Sequence, residues 1–372
     1  MSAAQITPLV MPKWGLEMRE GTIAGWLVEE GARIGVGTPV VDVETDKISN
    51  VVEAPDPGLL RSKVAKDGET LPVKALLGVL AETGVPDAEI DAFVAAYEVP
   101  AAADDDEDAG PAYEWAEVNG IRVRYARRGL ESGVPVLFLH GYGGDLGNWM
   151  FNLDALAAVA PVIALDLPGH GQSDARLPGT SVADLSAFVA AFLAKIGVDR
   201  VHGVGHSMGA AIVAQLALDH PQQVASLALI NPAGLGREIN SDYTRGFARA
   251  SSRRELKPVV ELLFAGPSLA SRQLIDDLLK YKRVDGVGEL LDALQGALYP
   301  DGRQSETPGL RLAEGDVPLL VVWGAQDRVI PAAQAANAPP RATVQVLEGA
   351  GHMTMLEKAS EVNALLKRQI GA

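Results

Sequence analysis

The pattern of hydrophobic and polar positions divides the chain into two stretches of different period. Up to residue 82, short apolar runs alternate with turns that carry Gly and acidic residues. Within it, "GTIAGWLVEEGARIGVGTPVVDVE" (21–44) and "GLLRSKVAKDGETLPVKALLGVLAE" (58–82) superpose as an internal repeat. Gly21 falls on Gly58, Glu30 on Asp67, Gly31 on Gly68, Ile34 on Leu71, Val36 on Val73 and Val43 on Leu80. Each half reads as strand, acidic-Gly turn, strand, so residues 1–82 are expected to form a small all-β sandwich of quasi-twofold symmetry. The join between the halves, "VETDKIS", then places Lys47 at a tight turn projecting from one end.

From about residue 113 the pattern changes to apolar strands alternating with helical segments. "VPVLFLHG", "PVIALDLPGHG", "VDRVHGVGH", "ASLALINPAG" and "VPLLVVWGAQDRVIP" are uniformly apolar runs with polar C-terminal ends. Such strands between helices predict a parallel sheet covered on both faces, with functional loops at the strand C-termini. An insertion at about 236–315 has helical character and is expected to be a lid. Between the two stretches, residues 83–112 read as a linker. In "PDAEIDAFVAAY", Ile90, Phe93, Val94 and Tyr97 share one helical face. "VPAAADDDEDAGPA" has too little apolar surface to fold and is expected to be a solvated tether.

Composition narrows the function classes. At 372 residues, 48% hydrophobic and 22% charged, the chain can bury two cores. No run approaches the roughly 18 apolar residues of a membrane span, and the N-terminus lacks the build of a secretory signal. A net charge of −16 argues against nucleic acid or an anionic membrane as partner. With no cysteine there is no disulfide, thiolate nucleophile or Cys-built metal site. These features fit a cytoplasmic protein that needs no metal.

Candidate chemistry concentrates in the second stretch. Gly205-His206-Ser207-Met208-Gly209 fits G-x-S-x-G, a turn so tight that small residues are needed two before and two after the serine. Ser207 then stands at a helix N-terminus, which favours a developing anion. A serine nucleophile needs a base and the base an orienting acid. Of six histidines, His352 in "EGAGHMTML" follows an apolar strand near the C-terminus and is the expected base. Asp327 in "WGAQDRVIP" is the expected acid, with Asp316 and Asp301 as alternatives. The backbone N–H groups of Tyr142 and Met208 are the expected oxyanion donors. His140 is expected to shape the oxyanion loop and His170 to hold a neighbouring loop. His206 flanks the nucleophile, while His202 and His220 read as strand-end and surface residues. Arg245, Arg249, Arg253, Arg254 and Lys257 cluster in "YTRGFARASSRRELK", either as a solvated helix face or as a site for coenzyme phosphates.

These motifs carry two family resemblances. "MPKWGLEMREGTI" with "VETDKISNVVEAPDPGLL" resembles the lipoyl domains of 2-oxo-acid dehydrogenase complexes over residues 5–82. That resemblance implies lipoate in amide linkage on Lys47, placed there by a lipoate-attaching enzyme. Biotin carriers share the fold but usually flank the lysine with Met, where this chain has Asp46 and Ile48. Residues 115–372 resemble an α/β-hydrolase domain, with "HGYGG", "DLPGHGQSD", "GHSMG", "GAQDRVIP" and "GAGHMTMLE" in family order. The combination resembles the acetyl-transferring E2 components of bacterial acetoin dehydrogenase complexes. It implies an acetyl group delivered from the lipoyl arm to coenzyme A, alongside a thiamine-diphosphate E1 and a flavin-dependent dihydrolipoamide dehydrogenase (E3), in a homo-oligomer. One departure stands out: the His-x-x-x-Asp-Gly signature of the usual E2 acyltransferase core is absent. The alternatives are an esterase or thioesterase tethered to a lipoyl carrier, and a lipoyl-bearing scaffold without catalysis.

Overall fold

The repeat of the N-terminal stretch becomes a permutation of strands. The computed structural model describes residues 6–12, 14, 18–45, 49–99 and 113–372, in two units, Met1–Gly110 and Pro111–Ala372. The first half of the stretch, the repeat unit with the strand before it, supplies β1 (Thr7–Val10), β2 (Glu20–Trp26), β3 (Arg33–Ile34) and β4 (Pro39–Glu44). The second supplies β5 (Ser49–Glu53), β6 (Gly58–Lys63), β7 (Thr70–Pro72) and β8 (Leu76–Ala81). One sheet has the order β1-β8-β6-β3, the other β5-β4-β2-β7. Exchanging each strand for its counterpart in the other half converts one order into the other, which is the expected twofold. Ile23, Val40, Val41, Val43, Leu60 and Leu77 are fully buried in the resulting core. Each contributes about 1.5–3 kcal/mol of burial free energy. Strands β4 and β5 pair antiparallel with Val43 opposite Asn50 and Glu44 opposite Ser49. Lys47 falls between these last partners and lies outside the described residues.

The stretch assigned by sequence to the linker begins with structure. Helix α1 (Asp87–Ala96) starts after Pro86, and Asp87 and Glu89 in its first turn suit the positive end of the helix dipole. Its Ile90 is buried, and Phe93, Val94 and Tyr97 pack against Leu76, Val79, Ala81 and Val85. The Tyr97 hydroxyl donates to the Lys74 carbonyl at 2.8 Å. Arg61 donates to the carbonyls of Glu82 and Val85 at 2.9 and 3.1 Å and pairs with Asp87. Strand β8 is therefore covered twice, with Leu77 and Leu80 in the sandwich core and Leu76, Val79 and Ala81 under the helix. That double burial explains why "LLGVLA" is an unbroken apolar run.

The second unit is built on an eight-stranded sheet of order β16-β15-β14-β13-β11-β12-β10-β9. Strands β9 (Glu114–Val118) and β10 (Ile121–Arg128) form an antiparallel hairpin, and β10 also runs antiparallel to β12 (Val162–Leu165). From β12 through β11 (Val136–Leu139), β13 (Val201–His206), β14 (Val224–Ile230), β15 (Leu319–Gly324) and β16 (Thr343–Leu347) every pairing is parallel. Helices α2 (Leu153–Ala157), α3 (Val182–Lys195) and α4 (Met208–Asp219) connect the strands. α4 is buried along almost its whole length, which is why its sequence is apolar on every side. The expected lid forms between β14 and β15 from α5 (Ser241–Arg249), α6 (Arg253–Val260), α7 (Arg272–Lys282), α8 (Val287–Leu298) and the short α9 (Pro308–Arg311). Helices α10 (Thr354–Glu357) and α11 (Ala359–Ile370) end the chain. Among the described residues no helix is long and apolar enough to cross a membrane.

Candidate active site

Ser207 stands between β13 and α4 with φ 53° and ψ −116°, a conformation costly for a residue with a side chain. Its two flanking glycines show why the strain is imposed. A Cβ on Gly205 would lie 2.4 Å from the Gly209 carbonyl oxygen, and one on Gly209 would lie 2.2 Å from that of Leu139. The strand, the turn and the helix are in backbone contact, so no larger residue fits. The Ser207 N–H donates to Ile230 O at 3.1 Å, and Ser207 O accepts from Ala233 at 3.1 Å, which ties the turn to the end of β14. Met208 is the first residue of α4, so its N–H has no partner within the helix.

The structure brings the expected base and acid together. His352 Nδ1–H donates to Asp327 Oδ2 at 2.8 Å. That oxygen also accepts from Asn231 Nδ2 at 2.8 Å and Trp323 Nε1 at 3.0 Å. Oδ1 accepts from the Val329 and Ile330 amides at 2.8 and 2.9 Å. Burial pushes the Asp327 carboxyl upward, but the His352 charge and these donors outweigh it and hold the group below its usual range. Of the alternative acids, Asp301 instead pairs with Arg245 at 3.4 Å, and Asp316 lies exposed just before β15. His352 meets the Ser207 turn through His206, whose Nε2–H donates to the His352 carbonyl at 2.9 Å. Among the described hydrogen bonds none joins Ser207 Oγ to His352.

The Tyr142 amide is presented by a loop that His140 organises. His140 Nδ1–H donates to Gly141 O at 2.8 Å and Nε2 accepts from Leu167 N at 3.0 Å, so one tautomer is fixed. Burial keeps this imidazole below its ordinary pKa. His170 Nδ1–H donates to Pro168 O at 3.0 Å, and burial takes its pKa down to about 3. A Cβ on Gly141 would lie 3.0 Å from Ser207 Cβ, which places this loop directly against Ser207.

The lid closes over this constellation with aromatic rings. Tyr243 of α5 lies 6.4 Å from the His352 ring, and its hydroxyl donates to Tyr142 O at 3.4 Å. Phe247 and Tyr299 pack edge-on against Tyr142 at 5.7 and 6.0 Å. Gly143 has φ +73°, and a Cβ there would lie 2.2 Å from Phe247. The result is a closed, buried site: Ser207 is 5% exposed and His352 1%. Beside Met208 a cavity of about 10 Å³ is lined by Ala211, Ala233, Leu298, Tyr299 and Gln304 among others.

The basic cluster lies outside this buried constellation, on the surface of the lid. Arg245, Arg249, Arg253, Arg254 and Lys257 all lie on the exposed faces of α5 and α6. Arg245 is paired with Asp301 and Arg253 with Asp276. Among the described residues no group of acidic and histidine side chains could hold a metal ion. Sequence reasoning missed Asn231 and Trp323. Their only signal is a polar-capable residue at or near the C-terminal end of an apolar strand, which is where the other candidate residues lie.

Residues 134–359 match the family described as alpha/beta hydrolase fold, and residues 7–80 the family described as biotin-requiring enzyme. The chain is 61% identical over 366 residues to the dihydrolipoyllysine-residue acetyltransferase component of the acetoin cleaving system of Cupriavidus necator, covering 98% of both chains. It is 48% identical to the component of the same name from Pseudomonas putida, covering 97% of both. Among solved structures, a meta-cleavage product hydrolase from Pseudomonas fluorescens aligns with a TM-score of 0.62 at 20% identity, over 68% of this chain and 96% of that one. A membrane phospholipase A aligns with a TM-score of 0.61 at 27% identity, over 77% and 96%. A β-sandwich carrier and a lidded α/β-hydrolase unit in one chain, matched end to end by these two relatives, make the chain a member of the family of dihydrolipoyllysine-residue acetyltransferase components of acetoin cleaving systems.

Proposed function

We propose that the chain transfers acetyl from S-acetyl-dihydrolipoamide to coenzyme A through acetyl-Ser207, with Lys47 bearing the lipoyl arm. The observation that carries this reading is the buried His352–Asp327 pair beside a strained serine turn in a closed site. Lipoate is the cofactor, and it supplies the dithiol that holds the acetyl group as a thioester. The β4–β5 hairpin suits its attachment, because it joins the two halves of the sandwich.

In the first half-reaction His352 Nε2 takes the proton from Ser207 Oγ, which attacks the thioester carbonyl. The N–H groups of Tyr142 and Met208 hold the oxyanion, a contribution of a few kcal/mol. Collapse of the tetrahedral species breaks the C–S bond, and His352 returns the proton to the departing thiolate. In the second half-reaction His352 deprotonates the coenzyme A thiol, which attacks acetyl-Ser207 and restores the hydroxyl. Thioester exchanges for thioester, so the demand on the protein is kinetic: water must stay out until the second thiol arrives. The aromatic lid meets that demand.

As a component of an acetoin cleaving system, the chain is read as working with a thiamine-diphosphate E1 and a flavin-dependent E3, in the cytoplasm and as a homo-oligomer. Its carrier domain is read as ending after Tyr97 rather than at residue 82, with the tether shortened accordingly. The decisive experiment supplies S-acetyl-dihydrolipoamide with and without coenzyme A and measures acetyl-CoA against acetate. Transfer should vanish in Ser207→Ala by roughly 10⁴-fold or more. Lys47→Arg should abolish turnover of the assembled system while sparing attack on free thioester. Acetate as the sole product would mean a hydrolase, and full activity in Ser207→Ala a scaffold.

A further inference from the structure

Both loops that carry the His–Asp pair are bonded to one short piece of the lid, the turn 261–265 that follows α6. The Leu263 carbonyl accepts from the amides of His352 and Met353 at 2.8 and 3.0 Å. Arg328, next to Asp327, donates to the carbonyls of Phe264, at 2.8 Å, and Glu261. The Glu357 carboxylate bridges the two sides: Oε1 accepts from Ala265 N and Oε2 from Gly351 N, each at 2.7 Å. The approach is so close that a Cβ on Gly351 would lie 2.6 Å from Ala265 N. At the other foot of the α5–α6 hairpin, the Asn240 amide and side chain donate to Val329 O and Arg328 O, both at 2.8 Å.

We propose that Glu357 is a positioning residue that joins lid closure to the alignment of His352, so that the base is in register only when water is shut out. This inference rests on the acetyl-Ser207 reading above. Two of the rings that cover the site, Tyr243 and Phe247, stand on α5, and both ends of the α5–α6 hairpin are fastened to the loops of Asp327 and His352. Lifting the hairpin must stretch the bonds at 261–265, and the first groups to feel it are the amides of Gly351 and His352. A base loop held only by its own unit would let the lid open over an active, acetylated serine. A base loop held partly by the lid is disarmed when the lid lifts. Glu357 touches no reacting atom; it acts through the backbone on either side. The amide donors lower its pKa, yet burial dominates and leaves the carboxyl above its ordinary value, so the fold keeps this acid in place at some electrostatic cost.

The test compares wild type, Glu357→Gln, Arg328→Ala and Ser207→Ala as full-length protein, with S-acetyl-dihydrolipoamide and coenzyme A. Acetyl-CoA and acetate are both quantified per folded molecule. Glu357→Gln keeps one acceptor and loses the other. Its acetyl-CoA rate should fall about tenfold or more, as for a base displaced by a fraction of an ångström, and the share of acetyl lost to water should rise several-fold. Arg328→Ala, an exposed change that removes the donor bonded to the same turn, should move the share in the same direction. A merely structural role would lower the thermal midpoint and leave the product ratio alone, and that result overturns the proposal. If Ser207→Ala still forms product, the serine reading fails and takes this inference with it. A dead Ser207→Ala beside a Glu357→Gln of wild-type rate and ratio defeats this inference alone.

Discussion

His352 and Asp327 share a 2.8 Å hydrogen bond in which the carboxylate oxygen serves three donors at once, the imidazole, the Asn231 amide and the Trp323 indole. With the other oxygen held by two backbone amides, the carboxylate cannot rotate. It fixes the Nδ1–H tautomer of His352 and leaves Nε2 as the free base.

Asp327→Asn should therefore lower acetyl transfer about 10³- to 10⁴-fold, because the carboxamide can present an N–H to Nδ1 and select the wrong tautomer. Asn231→Leu removes one of the donors that hold the acid and should cost about ten- to a hundredfold through misorientation. Pre-steady-state release of the first thiol checks both, since it reports acylation alone.

The elbow glycines should be intolerant for steric reasons. Gly209→Ala forces a methyl group to within 2.2 Å of the Leu139 carbonyl in the undisturbed backbone. An expected loss of about 1–3 kcal/mol or more should appear in urea unfolding. Labelling of Ser207 by a serine-directed phosphonate should fall in parallel.

Three buried imidazoles make the second unit acid-sensitive. Burial holds the pKa of His140 and His206 below the ordinary value and that of His170 at about 3. Unfolded, each titrates near 6.5, so protons favour the unfolded chain. The stability that depends on these neutral rings is complete above about pH 6.5 and is lost as pH falls toward the folded values. Each ring contributes a slope of about 1.4 kcal/mol per pH unit in that window. Unfolding free energies measured from about pH 7 to pH 5 should show it, and His170→Gln should remove about one proton's worth of slope.

How much of this was legible in the sequence depended on whether the cause was local. The repeat foretold both sheets because strand pairing followed the same register twice, and the glycines around Ser207 foretold the elbow because their constraint is steric and close in sequence. The pairing of Asp327 with His352 was readable from the places of both residues after apolar strands. Asn231, Trp323 and Glu357 were not, since each matters only through a partner far along the chain: Asn231 to Asp327, or Glu357 to Ala265. Helix α1 was visible as one apolar face, but its destination, the outer side of β8, carries no sequence mark. The arginines looked like a single cluster, and folding divided them.

That division sharpens the coenzyme A proposal. Arg245 and Arg253 are engaged by Asp301 and Asp276, while Arg249 and Arg254 have no ion pair among the described residues. If the outer face of the lid takes the coenzyme phosphates, Arg249→Ala with Arg254→Ala should raise KM for coenzyme A several-fold with kcat unchanged. Pantetheine, which lacks the nucleotide phosphates, should show no change. Equal effects on both acceptors would remove these arginines from the binding site.

Helix α1 also bears on how the proposed carrier would behave between partners. A carrier cut at residue 82 would present Leu76, Val79 and Ala81 bare on the outer side of its sheet. It would cling to apolar surfaces wherever it docked. With the helix in place that flank is sealed, and a unit that bears the lipoyl arm, as proposed above, would be able to visit successive partners and depart from each. The residues that look like the start of a rope are the lid of the parcel.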